Sequence, residues 1–522
     1  MREAGGARKL SCAPPDRIKP RTSGLIRMKS HHRLLCLSAA LALAGPPVVH
    51  AQTAAPDARP NILLITADDL GCLLSSYGEK RIATPKLDAL AASGVLFRNA
   101  YVAESSCSQS RAALLTGLWP HQNGQVGLAG LGFRMHPNQR TLPALLKAAG
   151  YRTGIIGKLH VDPAKDFPFD WMPPRVGMAV TPTRRVRWVA AQSRDFFASA
   201  KAAGQPFFYY VNYFDPHVPL TQATNQVEGL PEKPLTAADI KDPLPLGAPD
   251  EARNRLATAR MLNAISRVDT GVGLLLDELQ AAGLADNTIV IFAGDNGTAM
   301  PRAKTWSYEA GVRVPMIVRW PSGAKPGQTR NELVSLLDVM PTLLAATGVK
   351  PPENLVGAAL QPLLRGEPAK DWREFLFTEI NFHGPQMFRG QRSVRDARYK
   401  LMLNLVSSPH RPESGEMEDF ELGGVNEGSL SAGILPPLEL FDLQTDPDET
   451  KNLVDDPAHA DARRRLEGAL QRWREKETDP LLDPARLQRW KDASARWDEL
   501  PRVKAGQAMI VVIPEGELEL LK

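Results

Sequence analysis

Asn61-Ile62-Leu63-Leu64-Ile65-Thr66-Ala67-Asp68-Asp69 joins a short run of apolar and β-branched residues directly to two carboxylates. A run of this length and composition predicts a strand that is buried on both faces, which is the usual situation in a parallel sheet. Further runs of the same kind predict strands at Thr153 to Ile156, Pro206 to Tyr213, Thr288 to Ala293 and Val314 to Arg319. The chain therefore predicts a large, mostly parallel sheet.

Helical patterns lie between these predicted strands. We expect helices at Lys86 to Ala92 behind a Thr84 N-cap and Pro85, at Leu142 to Ala149 before Gly150, and at Ala259 to Ala282 before Gly283. Strands that alternate with helices predict an α/β fold in which helices cover both faces of the sheet.

Ionisable side chains follow the first four predicted strands, at the point where each strand ends. They are Asp68-Asp69, then Lys158 and His160, then Asp215-Pro216-His217, and finally Asp295-Asn296. Taken singly, such residues often only turn the chain or cap a helix. Four polar clusters at four strand ends are harder to explain by turn chemistry. Because ligands bind beyond the carboxyl ends of parallel strands, we interpret the four clusters as one functional site.

Four residues of these clusters predict a metal site: Asp68, Asp69, Asp295 and Asn296 supply only hard oxygen ligands. Such a set suits Ca²⁺, our first choice, or Mg²⁺, and does not suit zinc. Three crowded carboxylates would repel one another, and a cation at their centre would relieve that repulsion.

Cys107 precedes a short helical pattern that is closed by Gly117. A cysteine at a helix N-terminus lies where anions are favoured. The alternative interpretation is a capping segment with a buried, inert cysteine.

Residues 1–51 have the features of an N-terminal extension followed by a secretory signal peptide. Met28-Lys29-Ser30-His31-His32-Arg33 precedes the apolar run Leu34 to Ala44, and Val49-His50-Ala51 is a small-residue cleavage pattern. We therefore expect the true start at Met28 and a mature protein exported to the periplasm or the extracellular space. The apolar run is too short to predict stable membrane insertion.

Charge and cysteine content change once this leader is set aside. Residues 1–51 contain nine of the 63 Lys and Arg but only two of the 58 Asp and Glu, which leaves 54 basic and 56 acidic side chains and a net charge of −2. The composition therefore argues against a nucleic-acid partner. Cys12 and Cys36 also lie in the leader. The remaining pair is too small for a disulfide framework, and Cys72 is expected to be a small buried side chain.

The rest of the chain divides into a catalytic domain at 52–370, a smaller α+β domain at 371–490 and an unassigned tail at 491–522. Within the first, Pro219 to Asp250 is a long Pro-rich insertion. The second predicts strands at Glu374 to Thr378, Arg395 to Leu405 and Leu438 to Leu443, and a helix at Ala458 to Glu477.

Cys107-Ser108-Gln109-Ser110-Arg111, followed by Ala-Ala-Leu-Leu-Thr-Gly, resembles the signature of the formylglycine-dependent sulfatases, usually Cys-x-Pro-Ser-Arg before a Leu-Thr-Gly turn. The resemblance runs in order from about residue 59 to 455. It includes Thr84-Pro85, Phe97-Arg98-Asn99-Ala100, Gly157-Lys158-Leu159-His160, Asp295-Asn296-Gly297 and Glu439-Leu440-Phe441-Asp442-Leu443. It implies an alkaline phosphatase-like fold with a large α/β domain and a smaller C-terminal one.

A narrower likeness is to the sulfamidase group of that family, the heparan N-sulfoglucosamine sulfohydrolases. It rests on His121-Gln122-Asn123-Gly124, Gly154-Ile155-Ile156-Gly157, Pro168-Phe169-Asp170, Arg392-Ser393-Val394 and Asn404-Leu405. It implies an N-sulfated glucosamine of heparin-type glycans as substrate.

The family resemblance implies roles for individual residues. Cys107 would be oxidised by a formylglycine-generating enzyme, and one hydroxyl of the hydrated aldehyde would attack sulfur, while Cys107 would also be a metal ligand. Arg111 would hold the diol, and the residues that would bind the sulfuryl group are Lys158, His160, His217 and Lys304. Among these, His217 is the expected acid for the leaving group, and a solvated surface lysine is the alternative for Lys304.

One departure from the family pattern leaves the function open. Gln109 stands where the maturation signal usually has Pro. If Cys107 stays a thiol, the chain would be an inactive, glycan-binding relative. The pattern is also compatible with an O-sulfatase, with a phosphate or phosphonate ester hydrolase, and with a homodimer. A basic run could line an anionic sugar site or form a solvated face: Arg175, Arg184, Arg185, Arg187 and Arg194.

Overall fold

Strands of the larger sheet account for all five apolar runs of the sequence. In the described part of the computed structural model they are β1 (Asn61–Asp68), β2 (Val95–Tyr101), β3 (Arg152–Ile156), β4 (Phe207–Pro216), β5 (Thr288–Gly294), β6 (Arg313–Arg319) and β7 (Gln328–Ser335). They lie in the order β3-β4-β1-β5-β6-β2-β7. The four strands that carry the polar clusters are neighbours and run parallel. Their carboxyl ends therefore meet at one edge of the sheet.

The sequence did not predict β2 and β7. Arg98-Asn99 interrupts the apolar pattern of β2, and β7 is an edge strand whose first half alternates half-buried and exposed residues. The parallel arrangement also has an exception, because β6 pairs antiparallel with both β5 and β2. The prediction of a mostly parallel sheet is nevertheless confirmed.

Helices pack on both faces of this sheet, as predicted. The helices of the described residues before the second sheet are α1 (Pro85–Ala92), α2 (Cys107–Thr116), α3 (Pro120–Asn123), α4 (Leu142–Ala148), α5 (Val186–Ala203), α6 (Ala252–Ala281), α7 (Glu309–Val312), α8 (Val339–Thr347) and α9 (Gln361–Leu364). Alternation along β1 shows the two faces: Leu63 and Ile65 pack in a core with α5 and α6, whereas Ile62 and Leu64 pack in a core with α2 and α8.

The N-terminus of α1 differs from the prediction. Thr84 precedes the helix but makes no capping hydrogen bond with it, because its hydroxyl is hydrogen-bonded to Ser75. The free backbone N–H groups are instead satisfied by Asp269 of α6, which accepts from Leu87 N at 2.8 Å and Lys86 N at 3.3 Å. A carboxylate from a distant helix thus replaces the local cap.

A smaller antiparallel sheet follows, with β8 (Leu376–Phe382), β9 (Phe388–Arg395), β10 (Tyr399–Asn404) and β11 (Leu438–Asp442) in the order β11-β10-β9-β8. The strand predicted from Arg395 to Leu405 is confirmed at Tyr399–Asn404 only, because the chain turns between Arg395 and Tyr399. Asp396 accepts from the backbone N–H groups of Arg398 and Tyr399, and this turn ends β9 at Arg395 before β10 begins.

The remaining elements are α10 (Ala460–Lys476), α11 (Pro484–Asp498), β12 (Val503–Ala505) and β13 (Ala508–Ile510). The boundary predicted between residues 490 and 491 falls inside α11, whose Trp490 and Trp497 are buried against Phe382 of β8. Part of the unassigned tail therefore belongs to the core of the second sheet.

The structure describes residues 59–173, 181–218, 220, 228–244, 251–300, 302–407, 435–505, 508–514 and 516–521. The predicted signal peptide, Arg175 and much of the Pro219 to Asp250 insertion lie outside these residues. Within them, no helix combines the length and apolarity that crossing a membrane requires.

Candidate active site

The carboxyl ends of β1, β3, β4 and β5 bring most of the predicted site residues together. This strand-end cluster consists of Asp68, Asp69, Cys107, Arg111, Lys158, His217, Asp295, Asn296 and Lys304. Within it, Asp68, Asp69, Cys107 and His217 each offer a ligand atom, and these atoms lie within 4.8 Å of one another. Asp69 adopts a left-handed backbone conformation, with φ of 60°, which is uncommon for a residue other than glycine.

Cys107 is the first residue of α2, as predicted, and the helix ends at Gly117 with φ of 67°. The thiol Sγ lies 3.4 Å from Asp68 Oδ1 and 3.8 Å from Asp69 Oδ1. Burial and the nearby Asp68 carboxylate hold the pKa of Cys107 well above its usual range. The unmodified residue is therefore a protonated thiol that points at two carboxylates.

Each carboxylate of the cluster has a cationic partner. Lys158 Nζ lies 2.8 Å from Asp68 Oδ2, Lys304 Nζ lies 3.0 Å from Asp69 Oδ2, and an Arg111 nitrogen lies 2.9 Å from Asp295 Oδ2. Burial acts to raise the pKa of Asp68, but the cations around it, Lys158 first, hold the pKa well below its usual range. Repulsion between crowded carboxylates is therefore a weaker reason for a bound cation than the sequence suggested.

A stronger indication of a ligand comes from Asn296, which follows β5. Its Nδ2 donates to Asp69 Oδ1 at 2.7 Å, whereas its Oδ1 is buried and has no hydrogen-bond partner among the described residues. Such an unpaired buried oxygen costs about 1–3 kcal/mol unless a ligand occupies it. Together with the carboxylates of Asp68 and Asp69, this hard-oxygen set fits a divalent cation.

Asp295 also lies in the cluster, but both of its oxygens have protein partners. Oδ1 accepts from the backbone N–H of Asp69 at 3.0 Å, and Oδ2 accepts from Arg111. Burial and the Asp68 carboxylate raise the pKa of Asp295 to about 7.

Arg111 is fully buried and is held by residues that the sequence reasoning missed. Its NH1 donates to Lys158 O at 2.9 Å, to the Tyr210 hydroxyl at 3.2 Å and to Asn212 Oδ1. Tyr210 and Asn212 lie inside β4. A polar Asn within an otherwise apolar strand was the signal in the sequence that could have identified them.

The two predicted histidines take different positions. His217 Nε2 lies 3.8 Å from Asp69 Oδ2, while Nδ1 lies 2.6 Å from the carbonyl of Val218 and therefore donates to it. His160 has φ of 54°, and burial and the Lys158 ammonium hold its pKa well below its usual range. The His160 ring is therefore neutral, and its Nδ1 has no hydrogen-bond partner among the described residues.

Lys304 is not a surface residue. Its side chain is 1% exposed. The alternative interpretation of a solvated lysine is therefore wrong.

Two described arginines of the basic run, Arg184 and Arg194, pair with carboxylates of the protein. Arg184 is buried and lies 2.8 Å from Asp215, which also contacts Arg267 at 2.6 Å. These pairs hold the turn that carries His217, because Arg184 also donates to the His217 carbonyl. Arg194 is exposed and pairs with Glu278.

Gln109, the departure from the family signature, is fully buried. Its Nε2 donates to Glu104 Oε1 at 3.1 Å and to the backbone carbonyl of Phe382. The residue therefore joins α2 to β8 in the folded protein. The other cysteine, Cys72, is half-buried and lies outside the cluster, so the expectation that it is buried is only partly met.

Comparison with known proteins shows which family this sequence resembles. The sulfatase family profile matches residues 60–349, and the profile of the C-terminal region of N-sulphoglucosamine sulphohydrolase matches residues 302–420. Human N-sulphoglucosamine sulphohydrolase is 35% identical over 469 residues, covering 81% of this chain and 92% of the human protein.

Two solved structures share the fold. One, of a protein in complex with its substrate D-glucosamine-2-N,6-O-disulfate, is 21% identical with a TM-score of 0.63 and covers 81% of this chain and 99% of its own. The other, the phosphonate monoester hydrolase of Silicibacter pomeroyi, is 23% identical with a TM-score of 0.59 and covers 80% of this chain and 96% of its own. At these identities the likeness concerns the fold alone.

The family profile spans more than half of the chain, and the human relative is matched over nearly its whole length. This chain belongs to the sulfatase family of sulfuric ester and sulfamate hydrolases, and its fold is the alkaline phosphatase-like fold of that family.

Proposed function

We propose that this chain is an exported sulfatase that removes the N-sulfate from a non-reducing-end glucosamine of heparin-type glycans. The observation that carries the proposal is the position of Cys107, whose Sγ points at Asp68 and Asp69 while Lys304 pairs with the same Asp69. A nucleophile, acidic ligands and a cation for the sulfuryl group are thus within reach of one substrate atom.

The nucleophile is formylglycine made from Cys107, whose hydrate supplies the attacking hydroxyl when the modification is present. The N-terminus of α2 favours negative charge at this position. Arg111, which is rigidly held by Asn212 and Tyr210, orients the residue. All partners that such a nucleophile needs are present around Cys107, and this supports conversion despite Gln109.

A divalent cation, Ca²⁺ before Mg²⁺, would be held by Asp68, Asp69, Asn296 and residue 107. Asp295 would add a remaining lone pair, since its two oxygens already accept from Asp69 N and Arg111. When bound, the cation would supply Lewis-acid polarisation of the sulfuryl oxygens. The unpaired Oδ1 of Asn296 supports this assignment. Neutralised by the cation, Asp68 and Asp69 would bind Lys158 and Lys304 less strongly, and both ammonium groups would become available to the substrate.

The remaining groups bind the sulfuryl oxygens and deliver a proton. Lys158, Lys304 and the neutral His160 are donors to the charge that redistributes in the transition state. His217 Nδ1 donates to the Val218 carbonyl, and its Nε2 is directed at the cluster, 3.8 Å from Asp69 Oδ2. We assign His217 as the acid that protonates the departing nitrogen.

The substrate assignment is supported by the human relative and by the C-terminal profile, both of which are named for N-sulphoglucosamine. The substrate of the solved structural neighbour carries both an N-sulfate and a 6-O-sulfate, so it does not separate the two positions. The choice between N- and O-sulfate therefore depends on experiment.

The test is sulfate release from matched monosaccharides: glucosamine N-sulfate, glucosamine 6-sulfate and the N,6-disulfate. We expect release from the first and the third, with the 6-sulfate left on the product. Release from the O-sulfated sugars alone would replace the proposal with an O-sulfatase activity. Glucosamine 6-phosphate and a phosphonate monoester complete the series, and faster cleavage of either would indicate a phosphoryl hydrolase.

Maturation and metal dependence are tested on protein from the source organism. Mass spectrometry of the peptide that contains Cys107 should show formylglycine or its hydrate. An unmodified thiol together with no sulfate release would favour an inactive, glycan-binding protein. Chelation should abolish turnover, and calcium should restore it more effectively than magnesium.

A further inference from the structure

The loop that carries Lys304 has an unusual backbone. Arg302 and Thr305 both adopt left-handed conformations, with φ of 59° and 72°. Lys304 N donates to Thr298 O at 3.0 Å, and Thr305 N donates to Ser105 O at 2.7 Å. Residues in such conformations cost about 1–3 kcal/mol each and persist only when their surroundings hold them. The position of Lys304 therefore depends on the contacts that hold this loop in place.

A ring of hydrogen bonds connects this loop to the smaller sheet of strands β8 to β11, which we call the small sheet. The backbone N–H of Ser307 donates to Gln391 Oε1 at 3.2 Å, Gln391 Nε2 donates to Asn404 Oδ1 at 2.7 Å, and Asn404 Nδ2 donates to Glu439 Oε1 at 2.9 Å. The Tyr308 hydroxyl closes the ring on Glu439 Oε2 at 3.0 Å. Gln391, Asn404 and Glu439 come from β9, β10 and β11 and are all buried.

The donors and acceptors of this ring can be arranged in only one way. A backbone N–H can only donate, so the atom of Gln391 that faces Ser307 must be its oxygen, and the amide nitrogen must then face Asn404. At the other end, Asn404 Nδ2 also donates to the Pro436 carbonyl at 2.8 Å, which can only accept. Neither amide can rotate by 180° without losing a hydrogen bond. The ring is therefore a rigid connection.

Further contacts hold the same loop: one comes from Arg389 of β9, one from Glu449 after β11, and one lies within the loop itself. The guanidinium of Arg389 lies 4.1 Å over the Trp306 ring. Arg302 lies 4.2 Å over the Tyr308 ring and also donates to the Glu449 carbonyl. The loop is thus held at residues on both sides of Lys304.

We propose that Gln391, Asn404 and Glu439 are positioning residues for Lys304, through which the small sheet sets where the lysine ammonium lies beside Asp69. The proposal rests on the function assigned above, in which Lys304 binds a sulfuryl oxygen. The Lys304 side chain is 1% exposed and therefore closely packed, so the location of its backbone limits which atom the ammonium reaches. A displacement of about 1 Å can cost about 100-fold in rate.

The test replaces Gln391 with alanine in the full, calcium-supplied protein and uses Ser393→Ala as the matched control. Ser393 lies two residues further along β9 than Gln391 and is also buried. Its replacement by alanine removes a hydrogen bond with Thr378 and none with the loop. We expect Gln391→Ala to lower kcat by about 10- to 100-fold and to weaken binding of inorganic sulfate, measured by calorimetry, by about 10-fold. Ser393→Ala should change both by less than about 2-fold, whereas both variants lower the Tm.

A second pair of variants separates positioning from general loss of stability. In a Lys304→Ala background, Gln391→Ala should add less than about 2-fold to the loss of kcat and of sulfate affinity, because the group that it positions is gone. Losses that multiply in the double variant would overturn the proposal. Tyr308→Phe removes the hydrogen bond to Glu439 without leaving a cavity and should give a smaller loss of kcat and of sulfate affinity. This variant still tests the proposal if Gln391→Ala folds poorly.

The sulfate titration also distinguishes a failure of the positioning role from a failure of the proposed function. A wild-type protein that binds sulfate but hydrolyses no sulfated sugar would contradict the proposed function, while the effects of Gln391→Ala on sulfate affinity would still decide the positioning role.

Discussion

Two of the buried clusters of opposite charges among the described residues differ in how fully their polar atoms are hydrogen-bonded. The first is the strand-end cluster. The second, which we call the structural cluster, consists of His121, Glu379, Arg392, Arg474 and Asp479. Arg392 binds both oxygens of Asp479 at 2.8 and 3.0 Å, and Glu379 binds the backbone and the ring of His121.

Every buried side-chain nitrogen and oxygen of the structural cluster has a hydrogen-bond partner within the described residues, whereas Asn296 Oδ1 in the strand-end cluster has none. Burial and charge are therefore common to both clusters and do not identify a site. What separates the strand-end cluster is an unpaired oxygen beside two carboxylates, because the fully paired structural cluster has no capacity left for a ligand.

Cys107→Ala should abolish sulfate release, with a loss of roughly 10⁴-fold or more, because it removes the nucleophile. The Tm should change little, since the side chain serves chemistry and makes only weak contacts through Sγ. The matched control is Cys72→Ala, which removes the other described cysteine and lies outside the cluster. Turnover that survives in Cys107→Ala would remove this residue from the mechanism.

Asp479→Ala should lower the free energy of unfolding by about 3–5 kcal/mol, because it removes the carboxylate that binds the fully buried Arg392 through two hydrogen bonds. Urea denaturation measures the change. Asp461→Ala breaks an exposed pair with Arg464 and should cost less than about 1 kcal/mol. The folded fraction of Asp479→Ala should retain its affinity for calcium, and a change there would show that the two clusters are not separate.

Asn296→Ala should weaken calcium binding by at least about 10-fold, because it removes the unpaired oxygen that we assign to the cation. Calorimetric titration of the apoprotein with calcium gives the affinity. Asn287→Ala, a change of an exposed asparagine bonded to the Arg59 carbonyl, is the control. Equal affinities in the two variants would contradict the metal assignment.

The His121–Glu379 pair of the structural cluster should make the stability of the protein depend on pH. Burial acts to lower the pKa of His121, but the Glu379 carboxylate and its hydrogen bond raise the pKa above its usual value. The stability from this pair is therefore fully present below the unfolded pKa of about 6.5 and is lost as the pH rises through the folded value. The difference in unfolding free energy between wild type and His121→Gln should shrink with rising pH above about 6.5. A difference that stays constant with pH would contradict a raised pKa of His121.

Much of the local structure could be predicted because the pattern resides in adjacent residues. The five apolar runs became strands, α2 begins at Cys107, and the polar residues after β1, β3, β4 and β5 meet at one edge. In contrast, β7 was missed because an edge strand needs no continuous apolar run. Asp269 as the cap of α1 and Arg184 as the partner of Asp215 were missed because neither pairing leaves a trace in neighbouring residues.

The fold class, the family and the set of residues at the strand ends can be inferred from the chain alone, because apolar periodicity, turn residues and the Cys107 signature are all local properties. The folded structure was needed to show which cation pairs with which carboxylate, that Asn296 Oδ1 lacks a partner among the described residues, and that Gln391, Asn404 and Glu439 hold the loop of Lys304. These contacts join residues that are tens to hundreds of positions apart. Their existence follows from strand order and close packing, which no short stretch of sequence contains.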